Sequence, residues 1–218
     1  MERWNRSLTK AWKFLAVVFM LRVLWGILSN YPSYFPADFT TPFLFDRERY
    51  FRGIYCIAFY IHIVSSPIAL VVGLFLISDF SRRCLPRVHG IVGRVQIAAV
   101  CLAVAPSGLV MSFFALGGII STVAFLLLSV LTSATALLGF RYAILRKFDE
   151  HQRWMWRCFV LLSSAIILRI LTMVLSPFGW DPVLLYRFNS WMSWLMPWMI
   201  LEIANWLSRQ TQQSSTWE

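Results

Sequence analysis

Six long stretches with almost no charge recur along this chain, and a bilayer is the setting that demands such stretches most strongly. A helix needs about 20 apolar residues to cross the hydrocarbon core, where no backbone group can be left without a partner. The stretches run Ala11–Ser29, Ile54–Ser78, Val88–Ala115, Gly118–Ala143, Trp154–Leu175 and Leu184–Leu207. Only 14% of residues are charged and 59% are hydrophobic, whereas a soluble domain carries roughly 25% charged residues. The expected fold class is therefore all-α, a polytopic bundle of six transmembrane helices over residues 11–207. A basic segment (1–10) precedes it, and a polar tail (208–218, most polar over Gln210–Thr216) reads as disordered.

The charges that remain give a direction. With the N-terminus inside, fourteen of the 20 lysines and arginines fall on the cytoplasmic side, among them Arg82, Arg94, Arg153 and Arg157. Arg47, Arg49, Arg52 and Arg187 fall outside, and Arg22 and Arg169 within spans. The positive-inside rule then places both termini in the cytoplasm of a cell (inner) membrane, which an even number of spans allows. The net charge of +10 does not imply nucleic acid, because the basic residues flank apolar stretches instead of gathering on one face. Many of the eleven tryptophans lie near span ends, as interfacial anchors do.

Other classes are excluded by what is missing. Cys56, Cys84, Cys101 and Cys158 are scattered, with no CxxC, so neither a disulfide framework nor a zinc site is indicated. The basic start and first apolar run resemble a signal peptide. Arg22 and the lack of a small-x-small cleavage site make it a retained first helix instead. Pro106-Ser107-Gly108 predicts a kink in the third span, and Gly117-Gly118 a tight turn into the fourth. The external loop, residues 30–53, is rich in proline and aromatics and reads as an ordered cap on the membrane surface or, alternatively, as a mobile linker between the first two helices. No internal repeat stands out.

Ionisable groups inside spans usually face a partner or a cavity, since exposing one to lipid costs roughly 2.5–3.5 kcal/mol on insertion scales. Helical rise sorts them into two layers. An external cluster comprises His62, Arg169 and Asn189, with Arg22 a possible neighbour. His62 is followed by Ser66, Ala69 and Gly73, small residues that allow close approach. A cytoplasmic cluster comprises Arg94, Arg157 and Glu202, beside His89 and His151, which open two different helices at similar depth. Gly93 lies one turn beyond His89. The bland readings carry weight: a histidine bonded to its neighbouring helix, an interfacial histidine, and Glu202 merely neutralising Arg94 or Arg157.

HIVSSPIALVVG (His62 to Gly73), HGIVGRVQ (His89 to Gln96), the Gly117-Gly118 hairpin, HQRWMWR (His151 to Arg157), Arg169 and the Asn189–Trp194–Glu202 tail together form a pattern. It resembles a family of bacterial multi-pass membrane proteins catalogued as domain of unknown function 2306, over about Tyr50 to Leu207. The resemblance implies membrane placement and these site residues, but no reaction. The family's second motif usually reads His-Arg, where Gly90 stands here, and its first carries Gly where Ser66 stands.

Three functions compete. Histidines on facing helices are the usual axial ligands of b-type haem, and His89 with His151 is the plausible pair, Gly93 making room for a porphyrin. His62 is then left for a quinone or for proton transfer, and a redox partner is implied. Transport or proton relay would also use intramembrane His, Arg and Glu, although no pair of broken helices is expected from the sequence. A non-catalytic assembly partner is the third. No HExxH or GxSxG motif suggests a hydrolase, and no metal beyond a haem iron is indicated.

Overall fold

The computed structural model describes residues 2–41, 43–45 and 47–214, without the side chains of 2–11, 13 and 211–214. The described residues are helical with no strands, in two compact units, Met1–Phe51 and Arg52–Glu218. In the first unit, α1 (Glu2–Leu28) is followed by a folded segment with short 3-10 turns at Tyr31–Ser33 and Glu48–Tyr50. The residues 30–53 expected as an ordered cap do have internal order. Leu44 and Tyr34 are buried, Phe39 meets Phe51 edge-on at 5.4 Å, and Arg47 sits 5.0 Å over the Phe43 ring. The Asp38 carboxylate accepts from the Thr40 amide (2.9 Å) and hydroxyl (2.7 Å), which holds its pKa below the usual aspartate range.

The second unit contains α2 (Gly53–Ile77), α3 (Asp79–Cys84), α4 (Pro86–Ala99), α5 (Ala105–Ser112), α6 (Ile119–Ile144), α7 (Phe148–Leu162), α8 (Ser164–Leu175) and α9 (Pro182–Ser214). Helix α6 is its centre, packing against α4, α5, α7 and α9. Its buried residues, Ser121, Ala124, Ser129, Thr132, Thr135, Ala136 and Gly139, are all small and recur at helical spacing. Small residues let backbones approach, the main source of helix–helix packing where no hydrophobic drive exists. The Thr132 and Thr135 hydroxyls donate to the Leu128 and Leu131 carbonyls of their own helix, whereas the buried Ser121 hydroxyl has no partner. Ala69, Val100, Val104, Ala136 and Cys158 form a buried apolar cluster where α2, α6 and α7 meet the middle of the third span.

Among the described residues four helices are long and apolar enough to cross a membrane: Phe14–Ser33, Gly53–Ile77, Pro86–Ser112 and Ile119–Ile144. A fifth span forms if the pair Phe148–Leu162 and Ser164–Phe178, bent by 43°, counts as one. Three expectations change here. The fifth span is not one continuous helix but breaks at Ser163, so a broken helix is present after all. The third span is interrupted ahead of its proline, by a π-helical turn over Val100–Val104. Pro106 can donate no backbone bond, and the wider turn preceding it is how the helix accommodates that loss. The region expected as the sixth span lies in α9, which Asn189, Ser190, Ser193, Glu202 and Asn205 leave more polar than the other spans. That helix runs on to Ser214 through much of the segment expected as a tail; residues 215–218 lie outside the described residues.

The hairpin at Gly117-Gly118 is present. Both residues have positive φ (+94° and +68°), which L side chains rarely adopt, and the Gly117 carbonyl accepts from Arg187 Nε at 2.8 Å.

Candidate functional site

At the end of the bundle where α4 and α7 begin lies a cavity of about 700 Å³, walled by α2, α3, α4, α6 and α7. His89 and His151 both line it, as do Gly93 and Arg94. The two imidazoles are close enough to interact electrostatically. Each is placed by a short local device. Ser78 caps α3 by accepting from the Ser81 amide at 3.2 Å, and α4 starts from Pro86, whose missing N–H is harmless in a first turn. That sequence of turns brings the buried Ser81 hydroxyl to 3.2 Å from His89 Nδ1. The Ser81 hydroxyl also lies 3.1 Å from the Leu76 and Ser78 carbonyls, so its one hydrogen has three acceptors within reach.

His151 is anchored by a different route. Its Nδ1 lies 2.8 Å from the Gly139 carbonyl of α6, a group that can only accept. The contact depends on how closely α7 approaches α6: a Cβ on Gly139 would stand 2.6 Å from Met155 Sδ. Both rings are thus held at Nδ1, and His151, with its hydrogen there, keeps the Nε2 lone pair, the arrangement that orients a ligating imidazole. On α4, a side chain at Gly90 or Gly93 would meet nothing within 4 Å, so this face opens onto free space. Ile97, Val100, Phe140 and Leu162 give the cavity an apolar wall, and Gln96 donates to the Ala69 carbonyl at 2.7 Å.

The expected cytoplasmic cluster divides. Arg157 and Glu202 form a two-bond pair between α7 and α9, Nε to Oε1 at 2.5 Å and Nη2 to Oε2 at 2.8 Å, and the guanidinium lies 4.5 Å over Trp154. Arg94 takes no part in this pair and belongs to the cavity wall. Glu202 is committed to its arginine and is not among the residues lining the cavity.

The external cluster is not joined either. His62 Nδ1 lies 3.0 Å from Ser107 Oγ and 3.2 Å from the Val104 carbonyl. Because the carbonyl is acceptor-only, this ring too carries its hydrogen on Nδ1. Asn189 is fully buried and donates instead to Thr172 on α8 at 3.0 Å. No hydrogen bond joins His62 to Asn189, and Arg169 on α8 has its side chain exposed. Among the described residues no group of three or more His, Cys, Asp or Glu could hold a metal ion.

Sequence reading passed over Ser81, Arg82, Gly139 and the role of Gln96. Gly139 had a signal: an isolated glycine inside an apolar helix marks a close backbone approach. Ser81 had none, since its role depends on a turn that brings it back onto the next helix.

No curated protein and no solved structure matches this chain. The family model described as "Predicted membrane protein (DUF2306)" matches residues 59–204, a stretch that includes His62, His89, His151 and Glu202. The chain therefore belongs to this family of predicted membrane proteins.

Proposed function

We propose that the protein is a six-span membrane protein of the cell (inner) membrane, both termini cytoplasmic, whose cavity is a cofactor site for b-type haem. His89 and His151 are the axial pair, through Nε2. One observation carries this reading: two histidines from different helices line one cavity, each held at Nδ1 by a hydrogen-bonding partner. Haem bound there would supply one-electron chemistry. The chain's own residues fix the two rings and, through Gly90 and Gly93, leave room between the helices. The charge asymmetry supports the orientation, with α9 as the sixth span.

A quinone in the same cavity is the second reading, and its support is the apolar inner wall beside Gln96. A carrier would draw on the break at Ser163 and the π turn, but the chain lacks the repeat that usually accompanies them. The test is an absorption spectrum of detergent-purified protein from haem-replete expression, oxidised and then reduced with dithionite. We expect a Soret band that His89→Ala or His151→Ala removes and His62→Ala spares. Folded protein with no Soret band would overturn the haem assignment.

A further inference from the structure

The mouth of the cavity carries a charge imbalance that neither histidine explains. Arg82 and Arg94 both line it, with Asp149 the single acid among the lining residues. Arg94 makes no ion pair among the described residues. Arg82 spends Nη2 on Asp79 at 2.5 Å, but its Nε is fully enclosed and has no acceptor. With no accessible surface that Nε is closed to an incoming anion, which would meet the rest of the Arg82 guanidinium, on a side chain 34% exposed, and Arg94. Next to this basic rim, Gly90 and Gly93 leave the α4 wall open, and the interior beyond is apolar.

We infer that the cavity takes an amphipathic anion, its acid group at Arg94 and Arg82 and its apolar body toward Val100 and Phe140. The inference rests on the cavity being a ligand site, whichever ligand occupies it. The shared chemistry is an acid on an apolar frame, and it has two sources: the carboxylates of a porphyrin, or a lipid acid. Arginine suits this task because its guanidinium is always charged and bonds carboxylate or phosphate oxygens in pairs.

The experiment is a native mass-spectrometry titration of the delipidated full-length chain with four probes: haemin, haemin dimethyl ester, oleate and oleyl alcohol. At least one acid should bind about tenfold or more tightly than its neutral counterpart, and which one does so identifies the source. Arg94→Gln and Arg82→Gln should each remove most of that preference. Asp79→Asn, which releases Arg82, should strengthen acid binding. Gly93→Phe, which places a ring in open space, should abolish binding of every probe. If neutral and acid forms bind alike, or if Arg94→Gln and Arg82→Gln both bind acid as wild type does, the anion inference falls while the cavity reading stands. If Gly93→Phe leaves acid binding intact, the cavity is not the site and both fall.

Discussion

His62 and the pair His89–His151 are the same residue type in the same bundle, and the structure uses them differently. All three anchor through Nδ1. The difference lies in what faces the other side of the ring. His62 is held against α5, where a Cβ on Gly108 would stand 3.2 Å from its ring and 3.0 Å from Ser129 Oγ. Its neighbours leave little space. His89 and His151 stand at a cavity lined by glycine and arginine. A histidine inside a membrane bundle is therefore informative about function only when the space beside it is known; its depth in the span is a poorer guide. Arg157 and Arg94 repeat the lesson, one tied to Glu202 and the other facing the cavity.

This contrast between bound and available groups can be broken in graded steps. The largest effect should come from the bound side. Arg157→Gln or Glu202→Gln strands a partly buried charge and should lower stability by about 3 kcal/mol. That is the low end for a buried pair, because the Glu202 side chain keeps 34% of its exposure. The double variant should recover part of the loss in detergent thermal melts; equal loss in double and single variants would show that the pair is not the cause. Next comes the hairpin. Gly117→Ala forces a side chain into φ +94° and within 2.7 Å of Ser121 Oγ, an expected loss of about 2 kcal/mol. Gly118→Ala meets no neighbour within 4 Å and should be milder, so a reversed order would mean that the clash with Ser121 is unimportant.

Smaller still, His62→Ala should lower stability by about 1 kcal/mol, since Ser107 retains its bond to the Ala103 carbonyl at 2.6 Å. It should leave ligand binding in the cavity unchanged. A change in affinity there would show that the two histidine regions are coupled, and the contrast drawn above would fail. The mildest test concerns the first unit. Asp38 has its pKa lowered by Thr40, so its contribution to loop order is present above the ordinary aspartate range. It is lost as pH falls through the lowered value. Protection of the Thr40 amide, measured as its exchange rate relative to the unstructured chain at the same pH, should fall as pH drops below the ordinary aspartate range, and Asp38→Asn should remove that pH step. An unchanged step in the variant would assign the acid response to another group.

Much of this protein was legible before folding was considered. Span-length apolar runs determine that the chain is helical and membrane-bound, because lipid offers backbone groups no other partner. The flanking charges are the ground of the proposed orientation, and Gly117-Gly118 marks a turn that only residues tolerant of positive φ can make. Histidine spacing also singled out His89 and His151. What the sequence could not say is which polar groups meet. Whether Glu202 would pair with Arg94 or Arg157, whether His62 and Asn189 would share a site, and which hydroxyl would orient His89 all depend on helix rotation and crossing. Those are decided by packing of small residues such as Gly139 and Ala136 between segments far apart in the chain. Hydropathy is a property of each segment alone, whereas the cavity exists only where five helices leave space between them.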